Sequence, residues 1–457
     1  MNVIVIGDGN LGYSLAKSLS TDGGNDVTII EKNAGMKNNT IESLDVRYIK
    51  GNGASARTLI EAGVRDTDLL IAATSGDEMN MVCSLTAKRL GASHTIARIR
   101  DPEYADELSQ IKEDLGLDLV INPEQAVGGE IAKLLELPPA ISVELFAGGR
   151  VEMAEIKAAA GMPIVDMPLK EIPQKIGSSI LIGAILRGGE VIIPRGEDVI
   201  LADDTIYIVG HPSMVFRFCA QIGIRVRKIK NVMLAGGGRI GYYLAKALNE
   251  IDMSVKIIES RYERCVELAE ILPQTLVING DASDSALLRA ENIGDMGGFV
   301  SVTDKDEENL MTALLAKRNG VPKVVAKMDR AEYADILGDI GIDNLVSTKA
   351  VTANYILRFA RGLQNAMGNF ANTLYKIVGD RAEAIEFSAN KSARLLGRPL
   401  KDLSLVSGVL VLAIVRKNEI IIPHGNDSIE ENDSVILITK GRKLLDLNDI
   451  LTGEETR

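Results

Sequence analysis

The sequence is poor in the residues that chemistry most often recruits. Among 457 residues there is no tryptophan, and there are only three histidines and three cysteines. Cys83, Cys219 and Cys265 are scattered, form no C-x-x-C pair and have apolar neighbours, so they read as buried, inert thiols. Positive charge is also short. Fifty-one basic residues face 63 acidic ones, for a net charge of −12. That balance argues against nucleic acid, whose phosphates need a basic face. It argues equally against direct binding to anionic lipid. No apolar run approaches the length of a membrane span; the longest, VSGVLVLAIV from Val406 to Val415, reads as a buried strand. The opening MNVIVIG reads as a strand with no basic or apolar leader before it, the pattern expected of a cytosolic protein.

What the sequence does have is glycine at one particular spacing. VIVIGDGNLG, Val3 to Gly12, sets four β-formers before Gly7, Gly9 and Gly12 in the G-x-G-x-x-G pattern. A helical pattern follows, with Leu11, Leu15 and Leu19 on one face, and then an apolar run, VTII, ending on Glu31. Each part has a physical reason. Gly7 makes the turn, Gly9 lets the backbone approach a pyrophosphate, and Gly12 lets the helix pack on the strand. The helix N-terminus offers free N–H groups to phosphate. Glu31 stands where a carboxylate accepts from ribose hydroxyls and disfavours a 2′-phosphate, which points to NAD(H) or another adenosine nucleotide rather than NADP.

Further strands follow, each ending in small or polar residues: VRYIKGNG into Asn52, DLLIAATSGD into Ala73 and Thr74, HTIARIR into Arg98 and Arg100, and LDLVINPE into Asn122. Strands alternating with helices predict a doubly wound parallel sheet, with a ligand crevice outside the carboxyl ends of the strands. A helix is expected from Glu124 to Leu137, stopped by Pro138-Pro139. From Ile141 the texture changes to short strands and glycine turns, a small β-rich module in which Ile192 to Asp204 reads as two strands around a charged turn.

The whole pattern then recurs. VMLAGGGRIG carries Gly236, Gly238 and Gly241, and VKIIES ends on Glu259. Thr74 matches Thr303, Asn80 matches Asn309, Arg98 matches Lys327, Tyr104 matches Tyr333 and Pro194 matches Pro423, all at an offset of 229 residues. The chain is a tandem duplication of one two-part unit. The expected domains are 1–140, 141–228, 229–371 and 372–457. The candidate site residues are Gly7, Asp8, Gly9, Asn10, Leu11, Gly12, Glu31, Asn52, Ala73, Thr74, Arg98 and Arg100 in the first copy. In the second they are Gly236, Gly237, Gly238, Arg239, Ile240, Gly241, Glu259, Asp281, Val302, Thr303 and Lys327. The copies differ where it matters: Asn52 becomes Asp281, Arg100 becomes Asp329, and Arg239 brings positive charge to the second turn where Asp8 would repel phosphate in the first.

The doubled turns, the GNGAS and GDASD strand ends and the doubled strand-proline blocks together resemble the RCK (also called KTN) family of potassium-conductance regulators, over essentially the whole chain. The resemblance implies two Rossmann-like domains, each followed by a small α+β RCK C-terminal module. It implies a cytosolic ring, either a dimer of duplicated chains or a tetramer, docked on a TrkH-like membrane potassium channel subunit. Its ligands would be NAD(H), with ATP and ADP as alternatives, and no catalytic residue. Asn52 departs from the aspartate common in the family at that strand end.

Two other classes compete. An NAD-dependent oxidoreductase needs a proton relay beside the nicotinamide. Here His94 opens a strand, His211 precedes Pro212, and His424 aligns with Arg195 and so is not repeated. A soluble nucleotide sensor serving another transporter would use the same fold. The carboxylate clusters Glu197, Asp198, Asp203, Asp204 and Asp427, Glu430, Glu431, Asp433 suit a hard cation but lack EF-hand spacing, and solvated turns are the simpler reading.

Overall fold

The computed structural model describes all residues except 8, 22–24, 34–43, 105–106, 108–111, 113–115, 178, 225–227, 331–341, 343, 365–370, 378–380, 443, 445 and 453–457. Asp8 and Tyr333 therefore lie outside the described residues. The chain divides into two compact units that cut across sequence order. One comprises Met1–Ala132 with Lys230–Leu357, and the other Lys133–Ile229 with Arg358–Arg457.

The first unit holds two six-stranded sheets. In the first, β1 (Asn2–Ile6), β2 (Asp26–Glu31), β3 (Arg47–Lys50), β4 (Leu69–Ala72), β5 (His94–Arg98) and β6 (Leu119–Ile121) take the order β3-β2-β1-β4-β5-β6, all parallel. The order reverses between β1 and β4, which opens a crevice at the carboxyl ends of the strands. The central strands are apolar on both sides because helices cover both faces; Val3, Ile4, Val5 and Ile6 are all buried.

The second unit carries the β-rich modules. The first module contributes β7 (Ser142–Phe146), β8 (Val151–Lys157), β9 (Ile180–Arg187), β10 (Glu190–Ile192) and β11 (Thr205–Gly210), an antiparallel sheet in the order β10-β9-β11-β8-β7. Back in the first unit, β12 (Asn231–Ala235), β13 (Ser254–Glu259), β14 (Thr275–Asn279), β15 (Gly298–Ser301), β16 (Lys323–Lys327) and β17 (Asn344–Val346) repeat the first topology as β14-β13-β12-β15-β16-β17. The last sheet, β18 (Ala371–Ile377), β19 (Ala382–Ser388), β20 (Val409–Arg416), β21 (Glu419–Ile421) and β22 (Ser434–Lys440), repeats the module as β18-β19-β22-β20-β21. The apolar run around Val406 to Val415 is thus a buried strand, β20, and among the described residues no helix is long and apolar enough to cross a membrane.

Within each unit the two copies pack together. In the first unit the helix Pro123–Glu136 meets the helix Arg239–Glu250 at Gly128, where an added Cβ would lie 3.0 Å from the backbone nitrogen of Leu244. In the second unit one core cluster mixes Phe146, Met153 and Tyr207 with Tyr375, Leu412 and Ile436. Phe146 and Tyr375 stack edge to face at 4.7 Å, and Tyr375 donates to the Leu145 carbonyl at 2.8 Å.

The stretch Ile192 to Asp204 is not two strands. After β10 it crosses as a loop with isolated bridges at Val199 and Ile200, and the next strand begins at Thr205. Arg187 and Asp204 explain the difference. The guanidinium of Arg187 grips the buried Asp204 carboxylate at 2.9 and 2.7 Å and also donates to the Val199 carbonyl at 2.7 Å. Those bonds satisfy loop backbone that a hairpin would have paired within itself. Arg416, Asp433 and Ser428 repeat the arrangement. The other acidic groups are engaged locally: Lys170 donates to Glu197, and the Arg195 backbone N–H to Asp198. Among the described residues, no cluster of three or more acidic, histidine or cysteine side chains is arranged to hold a metal ion. All three thiols are buried and unbridged, and burial pushes those of Cys83 and Cys219 up to about 12.

Candidate nucleotide crevices

Each glycine of the turn does a different job. Gly7 has φ +102° and Gly236 φ +108°, the left-handed region that a side chain resists. Their N–H groups donate to Ile30 and Ile258, tying turn to sheet at 2.9 Å. A Cβ on Gly12 would stand 1.9 Å from the Gly7 carbonyl oxygen, and one on Gly241 2.2 Å from that of Gly236, so helix and turn are in direct backbone contact. A Cβ on Gly9 or Gly238 would meet nothing within 4 Å. That open space above the turn is the cradle a pyrophosphate requires, with the helices Asn10–Thr21 and Arg239–Glu250 beginning beside it.

The first crevice is a cavity of about 720 Å³ at the strand ends. It gathers Gly7, Gly9, Leu11, Glu31, Asn52, Ala73, Thr74 and Arg98 of the sequence candidates. Asn10 begins the helix beside it, and Gly12 lies beneath, against Gly7. Glu31 is half-buried and accepts from the Asn33 N–H at 2.9 Å, while Asn52 is exposed and accepts from the Ala54 N–H at 3.1 Å. Arg100 does not line this cavity. Its Nε donates to Glu124 at 3.0 Å, and the pair turns to the second copy's side. The crevice is completed by residues of the second copy: Asp329, Thr348, Lys349 and Thr352.

A second cavity, of about 960 Å³, opens beside the second turn. It takes in Gly238, Arg239, Ile240, Val302 and Lys327 together with Arg98, Arg100 and Glu124 of the first copy. Gly236, Gly237, Gly241, Glu259, Asp281 and Thr303 do not line it. Glu259 is buried behind the turn, where its carboxylate accepts from the N–H groups of Gly237 at 2.9 Å and Arg261 at 2.8 Å. Burial pushes that carboxyl up, but these N–H groups and the Arg261 guanidinium outweigh it and hold it below the usual range. Asp281 is exposed and is held low chiefly by the Ser283 N–H and hydroxyl.

Sequence reasoning took Asn80 and Asn309 only as landmarks, yet they build the strand ends. Each is wholly buried. Asn80 accepts from the Thr74 N–H at 2.8 Å and donates to the Thr74 and Arg98 carbonyls; Asn309 does the same for Thr303 and Lys327. The cation at the fifth strand then reaches back: Arg98 to the Thr74 carbonyl at 3.3 Å, Lys327 to that of Thr303 at 3.2 Å. Asp77 and Asp306, also missed, each accept two backbone N–H groups of the following loop. Their constant spacing in both copies was the available signal. Thr348, Lys349 and Thr352 left none, since nothing local in the sequence says which crevice a distant helix will roof.

Two sheets of this strand order, each with its glycine turn at the point of reversal, define a duplicated dinucleotide-fold protein with paired β modules. TrkA-N domain models match residues 3–123 and 232–348, and TrkA-C domain models match 153–223 and 384–452, so the chain belongs to the TrkA family. It is 38% identical over 447 residues to the Trk system potassium uptake protein TrkA homolog 1 of Methanosarcina mazei, covering 96% of this chain and 97% of that one. It is 32% identical over 447 residues to the TrkA protein of Vibrio alginolyticus, covering 97% and 96%. In fold it is similar to the RCK domain of GsuK, with TM-score 0.62 and 19% identity over 96% of this chain and 92% of that one. The GsuK channel solved bound to NAD gives TM-score 0.62 at 19% identity, over 96% and 77%.

Proposed function

We propose that this chain is the nucleotide-binding regulatory subunit of a Trk-type potassium uptake system. It would work at the cytoplasmic face of the membrane as a ring docked on a TrkH-like channel subunit. The observation that carries the reading is the first crevice, where an open glycine turn, Glu31, Thr74 and Arg98 from one copy meet Lys349 from the other. The family membership supplies the transport context, and the GsuK channel bound to NAD shows a protein of similar fold holding such a ligand.

The residues divide the work. Gly9 and Gly238 leave room for a pyrophosphate, and the helix N-termini at Asn10 and Arg239 face it with N–H groups. Glu31 accepts from ribose hydroxyls. Arg98 and Lys327 hold positive charge at the strand ends. NAD(H), ATP and ADP share the adenosine and pyrophosphate that these groups address. A ligand shifts a conformational equilibrium only by its difference in affinity for the two states. A crevice walled by both copies supplies such a difference, because closing it changes the contacts the ligand makes.

An oxidoreductase finds less support. His94 pairs with Asp118, His211 caps the helix Pro212–Gln221, and His424 lies by Asp427; none lines either cavity. The deciding test is potassium flux in proteoliposomes holding the channel subunit and this chain, with NAD, NADH, ATP and ADP varied. The reading expects flux to depend on the nucleotide. Flux indifferent to all four, with the complex still assembled, would leave a passive assembly role.

A further inference from the structure

The two acids that end the second strand of each sheet are not equivalent. Glu31 is half-buried and lines the first crevice. Glu259 is buried and lines no part of the second cavity. Its oxygens are engaged within its own copy. Oε2 accepts from the Gly237 N–H at 2.9 Å. Oε1 accepts from the Arg261 N–H at 2.8 Å, the Arg261 Nε at 3.3 Å and the Ser260 hydroxyl at 3.4 Å. Gly237 permits this fold-back, since an added Cβ there would lie 3.1 Å from Glu259 Oε2 and 2.5 Å from Leu268 Cδ1. The first copy has Asp8 at the matching position.

What stands at the second strand end in place of an open carboxylate is positive. Two residues beyond the acid, the first copy has Asn33 and the second has Arg261. The Arg261 side chain is 67% exposed and lines the second cavity. Its Nε bonds Glu259, and its terminal nitrogens make no hydrogen bond among the described residues. Arg264 lines the same cavity but is committed: its Nε donates to the Gly237 carbonyl at 2.8 Å, and its Nη1 pairs with Glu267 at 2.6 Å. Arg264 thus braces the turn, and Arg261 is left to meet a ligand. In the first copy Lys32 also lines the crevice, but beside a carboxylate that lines it too. In a dinucleotide fold this strand end is where the adenosine ribose sits, and an arginine there accommodates a 2′-phosphate.

We propose that the second crevice takes a dinucleotide whose adenosine ribose carries a 2′-phosphate, and that Arg261 is the residue that selects it. The first crevice, with Glu31 on its wall, takes the unphosphorylated form. The inference rests on the nucleotide reading proposed above. A guanidinium can donate two N–H groups to one phosphate in a charge-assisted pair. A carboxylate already bonded and paired, as Glu259 is, offers a bare 2′-hydroxyl little and repels a 2′-phosphate less.

The test uses the full chain with Gly9→Leu, which confines binding to the second crevice, and titrates NADH and NADPH calorimetrically. NADPH is expected to bind at least as tightly as NADH. Arg261→Gln should weaken NADPH by about tenfold and NADH by less than about twofold, and Arg261→Lys should keep most of the NADPH affinity. In the otherwise unchanged chain, Arg261→Gln should likewise weaken NADPH alone. If the Gly9→Leu chain favours NADH, or if Arg261→Gln changes both affinities equally or neither, the inference falls while the nucleotide reading stands. If the Gly9→Leu chain keeps the parent's melting temperature and binds neither dinucleotide while the parent binds NADH, the inference falls and the nucleotide reading holds for the first crevice alone. If the parent binds neither, both fall.

Discussion

Asn122 and Tyr243, 121 residues apart, meet in a buried hydrogen bond: the Asn122 amide donates to the Tyr243 hydroxyl at 2.9 Å. The same amide reaches the Arg100 carbonyl at 3.3 Å, and its carbonyl caps the following helix at the Gln125 N–H. One side chain thus ties the end of the first sheet to the first helix of the second nucleotide domain. Asn122→Ala should cost about 1–2 kcal/mol in denaturant unfolding, because it strands buried polar groups. Gly128→Val, which drives a side chain against Leu244 and Tyr243, should cost about 1–3 kcal/mol. Additive losses in the double variant would show that the two contacts do not share a single interface.

The glycine turn separates binding from folding. Gly9→Leu and Gly238→Leu should leave the melting temperature near that of the parent, since nothing stands within 4 Å of the added Cβ. Each should remove nucleotide binding at its own copy alone. Gly12→Ala should instead lower stability by about 3 kcal/mol or more, because its Cβ would overlap the Gly7 carbonyl. Calorimetric stoichiometry unchanged in both leucine variants would refute the assignment of the turns.

Glu31 should make NADH bind at least about tenfold more tightly than NADPH, by setting a carboxylate against a 2′-phosphate. Glu31→Gln should narrow the gap. Glu259 should contribute less, being committed to the Gly237 and Arg261 N–H groups. Equal affinities for the two dinucleotides in the Gly238→Leu chain would remove this role from Glu31.

Glu152 should make the second unit pH-sensitive. It is buried, its Oε1 has no partner among the described residues, and burial with the Glu136 carboxylate nearby raises its pKa to about 7. An acid whose pKa is raised on folding holds its proton in the native state while the unfolded chain has lost it. Stability from this group is therefore full below pH 4.5 and declines as pH rises toward 7, by roughly 3 kcal/mol in all. Thermal melts from pH 5 to 8 should show that decline, and Glu152→Gln should flatten it. Parallel curves for the two proteins would show that Glu152 is not the group responsible.

The sheets were legible because their strands are apolar on both sides and end in glycine or small polar residues, a pattern that needs no knowledge of distant contacts. Gly7, Glu31, Thr74 and Arg98 were legible for the same reason: each ends a strand that the topology brings to one edge. Arg100 was expected at the first crevice and lines the second cavity instead, because the strand-end argument carries no information on which way a side chain turns; it pairs with Glu124 at 3.0 Å. The stretch from Ile192 to Asp204 was misread as two strands because its β-branched residues, Ile192, Ile193, Val199 and Ile200, form short apolar runs on either side of a charged turn. What decides it is the half-exposed Arg187 holding the buried Asp204 carboxylate and the Val199 carbonyl, a contact between β9 and the end of the loop. Lys349 was invisible because its place in the first crevice depends on how one copy packs on the other.

The covalent link between the copies has a consequence for inheritance. Two separate identical chains meeting about a twofold axis must present the same residue on both sides, so a change on one side is imposed on the other. Here the half bearing Glu124 always faces the half bearing Lys349 and never faces itself. A substitution can enter one crevice without its mirror image, and opposite charges can accumulate at matching positions. Joined end to end, the copies give a single molecule two crevices with different walls.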